Sequence, residues 1–222
     1  METSVLWALP VAISKTHDLS VDSVEDWLKR RGVPFGLGCH DRSLRACLVS
    51  YGGRGLIFLE AADTEEELRF SLAHEVSHFL LDYLLPRRRA IGRFGSGVTE
   101  ILDGRRRPTA GERVDAVLAN VPIGVHTHLI ERTVAGGIGR AAVLDVESRA
   151  DRLALELLAP EAEVKRRVAD LGGRESFQQT VHYTVGVLID TFGVSSQIAD
   201  GYGLSLCRSW YGGPSFREWL RA

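Results

Sequence analysis

The sequence is short of the residues that would mark an unusual class of protein. It contains three cysteines, Cys39, Cys47 and Cys207, in 222 residues. An odd number cannot close a disulfide framework and points to a reducing compartment. Cys39 stands beside His40, but no second pair follows at ligand spacing, which excludes a cysteine-rich zinc module. No apolar run approaches the roughly 18–20 residues needed to cross a bilayer. The first residues carry no secretory signal: Glu2 stands where positive charge is required, and Pro10 interrupts a mildly apolar stretch. A cytoplasmic protein is therefore expected. Neither sign of charge is in excess, with 27 basic against 29 acidic residues and a net charge of −2. Nucleic acid and anionic membranes are thus not expected as main partners. Lysine is scarce, and arginine supplies nearly all the positive charge, the usage of a GC-rich bacterial genome or its phages rather than a functional signal.

What remains is an ordinary globular composition, 45% hydrophobic and 25% charged, with length for one domain or two small ones. Ser20 is a candidate N-cap for a helix over 21–31, stopped by Gly32 and Pro34. Residues 45–51 and 55–60 are short β-rich runs joined by Gly52-Gly53-Arg54, a hairpin signal. Thr64 with Glu67 forms a capping box opening a long amphipathic helix, in which Leu68, Leu72, Val76, Phe79, Leu80 and Tyr83 recur at helical spacing. Pro86 is expected to end it. From 87 to about 130 the periodicity fails among Arg87-Arg88-Arg89, a Gly-rich stretch and Arg105-Arg106-Arg107. This segment reads as a mobile Arg/Gly-rich insertion outside the core, a candidate lid over the site. A helix over 145–158 stops at Pro160, and helices follow near 161–171, 175–192 and 195–206. The expected organisation is a core over 1–160 and a helical extension over 161–222.

The long helix contains His74-Glu75-Val76-Ser77-His78, or H-E-x-x-H. Side chains at i and i+4 stand one above the other on a helix, so both imidazoles reach a single ion. A Glu at i+1 lies close enough to polarise a water there without binding the ion itself. Random placement would yield about 0.02 such motifs in this composition.

A catalytic zinc takes a third protein ligand and leaves a fourth position open. Downstream candidates are Glu100, Glu112, His126, His128, Glu131, Glu147 and Glu156. Glu147 belongs to Glu147-x-x-x-Asp151, a carboxylate pair one helical turn apart. There the first can bind metal while the second accepts the free N–H of a ligating imidazole. On a helical wheel Glu147 lies about 60° from the centre of the apolar stripe and Glu156 about 120° away, toward solvent. His126 and His128, at i and i+2, would face the same way on a strand and compete for the same role. His126, His128, His182 and Tyr183 are all open candidates for stabilising an oxyanion.

His74-Glu75-Val76-Ser77-His78-Phe79-Leu80-Leu81-Asp82, followed by the stretch from Glu147 through Ala150, Asp151, Ala154, Leu157 and Leu158 to Pro160, resembles the ImmA/IrrE family of metallopeptidases. The resemblance covers roughly 45–160, and Thr191-Phe192-Gly193-Val194-Ser195 resembles a later segment of the family. It implies an α+β fold with a zincin-like core, a small antiparallel sheet packed on the H-E-x-x-H helix. It implies zinc held by His74, His78 and Glu147, with Glu75 as catalytic base and Asp151 behind a ligating histidine. It also implies a protein substrate, helix-turn-helix repressors being typical. Two departures stand out: Arg149 where the family usually has Glu, and 69 positions from His78 to Glu147.

The function expected is therefore zinc-dependent endopeptidase, with strand 55–60 running near the metal as a sheet edge for substrate. The alternative is a DNA-binding or protein-binding regulator with a non-catalytic zinc site. Residues 188–206 read helix, glycine turn, helix, but 195–206 holds no Lys or Arg to contact DNA.

Overall fold

The computed structural model describes residues 8–33, 35–118, 121–131, 141–170 and 176–213. The fold is mixed α+β, with one four-stranded sheet and helices between and after its strands among the described residues. Two compact units are present, Met1–Asp151 and Arg152–Ala222. The division falls inside a helix. No helix among the described residues is long and apolar enough to cross a membrane.

In the first unit β1 (Val11–Thr16) leads through α1 (Val21–Arg30) to β2 (Leu44–Tyr51) and β3 (Arg54–Glu60). Ser20 caps α1 through a reciprocal pair with Ser23. Gly52 and Gly53, at φ of 59° and 80°, supply the two left-handed residues that a tight right-twisting hairpin requires. β3 pairs with β1 in parallel and with β2 in antiparallel fashion, and β4 (His126–Glu131) completes the order β1-β3-β2-β4. β3 is thus an interior strand. The expectation that 55–60 forms a substrate-binding edge is corrected: next to the histidine-bearing helix, the edge among the described residues is β4.

β2 is buried on both faces. Ala46 and Leu48 join Ile57, Leu59, Leu72, Val76, Phe79 and Tyr83 on one side. Cys47, Val49 and Leu44 join Phe58, Val21, Val24 and Leu28 on the other. A register shift between Leu44 and Ala46 puts Leu44 on the α1 side despite its even number.

α2 (Glu65–His78) starts at the Thr64 capping box. Its second half is not amphipathic, because all eight residues from Ser71 to His78 are buried. It packs against β2, β3 and β4, so its polar side chains there must find partners inside the protein. Pro86 does not stop this helix, as the spacing suggested. A π-helical segment, Phe79–Leu84, follows α2, with the Leu85 N–H bonded back to the Leu80 carbonyl, and α3 (Leu85–Phe94) continues it. The wider turn removes the i−4 bond that proline cannot make and eases its ring past the preceding carbonyl. Gly95, at φ 81°, ends the helix instead.

The 87–130 segment is correspondingly not a structureless insertion. It holds α3, the 3₁₀ turn Ser96–Val98, α4 (Thr99–Leu102), α5 (Ala110–Leu118) and β4. Arg87 is buried, with Nη2 2.6 Å from Asp103 Oδ1, and Ala90, Leu102 and Val121 make a small core of their own. Arg106 pairs with Glu112, so part of the arginine excess is neutralised within the segment. α6 (Ala141–Leu158) then carries the Glu147 and Asp151 positions.

The second unit contains α7 (Glu161–Asp170), α8 (Phe177–Asp190) and α9 (Ser196–Tyr211) around Ala159, Val164, Val187, Leu188, Val194, Ala199 and Leu206. A Cβ on Gly203 would lie 2.9 Å from Val185 Cγ2, so glycine permits the close approach of α8 and α9.

A similar approach occurs at Gly55 in β3, where an added Cβ would lie 2.9 Å from Phe79 Cδ2 and 3.3 Å from Val11 Cγ2. Phe79 is fully buried and has no room to retreat. Gly55→Ala should therefore destabilise the protein by about 1–3 kcal/mol. Urea unfolding monitored by circular dichroism checks this; an unchanged midpoint would show that the contact of Phe79 with the sheet is looser than described.

Candidate metal centre

The last turn of α2 brings the two motif histidines together. Nε2 of His74 lies 3.0 Å from Nε2 of His78, and both side chains are buried. Each ring is fixed from behind. Nδ1 of His74 lies 2.9 Å from Asp151 Oδ1, and Nδ1 of His78 lies 2.7 Å from Asp82 Oδ2. An ionised carboxylate only accepts, so both Nδ1 atoms donate, and whenever the two rings are neutral their Nε2 atoms present lone pairs to each other. Two lone pairs at that distance repel unless they share a proton or a cation.

Glu147 completes the group from α6. Its Oε2 lies 3.4 Å from His74 Nε2 and 3.7 Å from His78 Nε2. Donors held about 2.0–2.1 Å from one ion in a tetrahedron stand about 3.3–3.4 Å apart. The three observed separations, 3.0, 3.4 and 3.7 Å, bracket that value. His128 on β4 is a fourth member, and the four donor atoms all lie within 4.8 Å of one another. Two or three imidazoles with one carboxylate suit a transition-metal ion rather than calcium or magnesium, which prefer oxygen. The group can therefore bind a metal ion.

Glu75 is buried, with its Oε2 3.0 Å from His128 Nδ1. Its Oε1 is buried and has no hydrogen-bond partner among the described residues. A carboxylate oxygen left so costs about 1–3 kcal/mol or more, a cost natural proteins tolerate mainly where the group has work to do. The His128 ring lies flat on His78, centroids 3.6 Å apart at 18°. His128 also has Nε2 3.2 Å from Glu147 Oε1, bridging two carboxylates.

Charge in the group is strongly coupled. Burial opposes a charged His74, but hydrogen bonds to Asp151 and Glu147 outweigh it and push its pKa up to about 9. Burial likewise opposes a charged His128, and the charge of Glu75 with the hydrogen bond to Glu147 pushes it up to about 10. Hydrogen bonds from His128, His74 and His78 hold the Glu147 carboxyl far below its ordinary value.

The structure thus brings together His74, Glu75, His78, Glu147 and Asp151 from the sequence reading. His128, weighed there as a rival third ligand, joins Glu147 rather than replacing it. Asp82 joins them without having been marked by any motif beyond its i+4 spacing from His78. His126, on the same face of β4, stacks near Tyr83 with centroids 6.2 Å apart, and burial keeps its pKa low. Glu100 and Glu156 are exposed, Glu112 pairs with Arg106 and Glu131 pairs with Arg42. His182 and Tyr183 belong to the second unit and are exposed there.

A pH dependence follows. His74 and His128 have raised folded-state pKa values, to about 9 and about 10, so their charged forms stabilise the metal-free fold fully below the unfolded value of about 6.5. That contribution is lost as pH rises through the folded values. Glu147, being lowered, contributes above about pH 4.5. The metal-free protein should have its highest Tm between about pH 5 and 6.5 and lose stability toward pH 10. An ion must displace protons from the imidazoles, so the Tm gained on adding metal should grow over the same range. Calorimetric scans with chelator and with added ion check both trends; a metal-free Tm rising from about pH 6.5 to 9.5 would contradict them.

Compared with protein-family models, curated proteins and solved structures, the chain matches none. Its function has to be argued from the donor set and the groups around it.

Proposed function

We propose that the protein is a zinc-dependent endopeptidase of the ImmA/IrrE type, with a zincin-like core formed by α2, the sheet and α6. The observation that carries this is the geometry of the two histidines. With both Nδ1 atoms committed to carboxylates, the two Nε2 atoms meet 3.0 Å apart beside a Glu147 oxygen, an arrangement that a shared cation suits. Zinc is the favoured ion on donor chemistry, two imidazoles and a carboxylate being a familiar catalytic set.

On this reading His74, His78 and Glu147 hold the ion. Asp151 and Asp82 fix the two imidazole planes and keep the proton on Nδ1, so that Nε2 remains a donor. A zinc ion held there would supply Lewis acidity toward a peptide carbonyl and a water molecule. Glu75 accepts a proton at Oε1, its unpartnered oxygen, and returns it to the nitrogen of the departing amine. Its Oε2 is held by His128, which keeps the carboxylate from turning away. β4 offers an extended substrate the edge of a sheet beside these groups, since among the described residues only β2 pairs with it. A protein substrate, with helix-turn-helix repressors as the class the family resemblance implies, fits such a site; so does a cytoplasmic location.

A second reading has one observation in its favour. Four donors, His74, His78, His128 and Glu147, could close around an ion and leave no open position, as in a purely structural site of a regulator.

The two readings separate on Glu75. Glu75→Gln should leave zinc content unchanged, since the carboxylate is not a ligand. It should lower peptide hydrolysis by about a hundredfold to ten-thousandfold, since an amide cannot take the proton. His78→Ala should lose both zinc and activity, and Asp82→Ala or Asp151→Ala should weaken zinc binding by about 10–100-fold. Zinc content by mass spectrometry, with cleavage of a peptide library, checks the set. Wild-type protein that holds zinc but cuts nothing in the library or in candidate repressors would favour the structural site.

A further inference from the structure

His128 touches two carboxylates at once, and in each it engages only one oxygen. Nδ1 lies 3.0 Å from Glu75 Oε2, and Nε2 lies 3.2 Å from Glu147 Oε1. The other Glu147 oxygen, Oε2, is the one facing His74 and His78, at 3.4 and 3.7 Å. The other Glu75 oxygen, Oε1, has no partner among the described residues. One imidazole thus divides both carboxylates into a tied oxygen and an available one.

His128 is well placed to hold that division. It pairs with Leu48 of the interior strand β2, so the sheet register fixes its backbone. Its ring is stacked on His78, 3.6 Å between centroids, and its side chain is only 16% exposed. A ring held by strand register on one side and by a stack on the other does not drift between partners.

From this we propose that His128 is a positioning residue that restricts Glu147 to single-oxygen coordination, tying up Oε1 so that only Oε2 is offered to an ion held by His74 and His78. The inference rests on the metal reading of the site. A carboxylate free at both oxygens can close on an ion with both, as acidic ligands often do. The second oxygen would fill the position that a catalytic centre leaves open for water or substrate. A hydrogen bond to that oxygen prevents this. The same ring, by holding Glu75 Oε2, fixes Oε1 as the oxygen free to accept a proton. His128 is then neither a fourth ligand nor a bystander: it sets which atom each carboxylate presents.

Asparagine and glutamine separate the two contacts, because the asparagine amide nitrogen can replace Nδ1 and the glutamine amide nitrogen can replace Nε2. H128N keeps a donor for Glu75 and loses the one for Glu147; H128Q does the reverse. Cobalt(II), added to the full-length protein after chelator treatment, is a coloured probe whose visible absorption weakens as its coordination number rises. Wild type and H128Q should share an intense low-coordinate spectrum, and H128N should show a weaker, higher-coordinate one. Three identical spectra would overturn the proposal, because Glu147 would then need no restraint. Equal changes in both variants would also overturn it, since His128 would then be a ligand or a general support. Wild-type protein with no cobalt band at one equivalent would remove the metal centre and the proposal together. In the first two outcomes the metal centre stands and only the role of His128 fails.

Discussion

Two imidazole nitrogens 3.0 Å apart in a protein interior, each with its other nitrogen already donating to a carboxylate, set the terms for the rest of the site. Such a pair is stable only with a positive charge between or beside its lone pairs. The surrounding carboxylates provide the complement: Asp82 from the π-helical segment, Asp151 and Glu147 from α6, and Glu75 from the same turn as the histidines. Without a metal ion, protons supply the positive charge: against the cost of burial, Asp151 and Glu147 push His74 up to about 9, and Glu75 and Glu147 push His128 up to about 10. A divalent ion at the same point would replace those protons. The donor set can thus hold a cation at this point.

Keeping such charges inside requires a rigid frame. α2 is enclosed along eight consecutive residues, and the sheet supplies β4 with its two histidines on one face. The π segment lets the helix run past Pro86 and places Tyr83, whose hydroxyl accepts a 2.8 Å hydrogen bond from the Gly53 N–H, against the β2–β3 turn. Arg87, buried on Asp103, ties α3 to the segment that leads back toward β4. Arg87 is therefore part of the frame, while Arg105 and Arg106 stay on the surface beside acidic partners.

Features governed by neighbours in the sequence were legible from it. The Ser20 and Thr64 caps, the Gly52-Gly53 turn and the i,i+4 histidines all depend on residues a few positions apart. Asp82 was within the same reach but stood in a run dominated by leucine and phenylalanine. What the sequence hid was governed by distance. β4 becomes a strand by pairing with β2 some eighty residues earlier, and only that pairing brings His128 to Glu75. Arg87 is apolar in neither charge nor pattern, yet it is buried because Asp103 meets it. Pro86 follows the general rule for helix ends and is excused by a π turn that no local pattern announced.

The central claim is a zinc ion held by His74, His78 and Glu147 with His128 outside the coordination sphere. Anomalous diffraction at the zinc edge, from crystals of protein purified without chelator, measures this most directly. The account predicts one strong peak about 2.0–2.2 Å from His74 Nε2, His78 Nε2 and Glu147 Oε2, with His128 beyond bonding distance. A peak bonded to His128 in place of Glu147, or no peak at these residues, would contradict it.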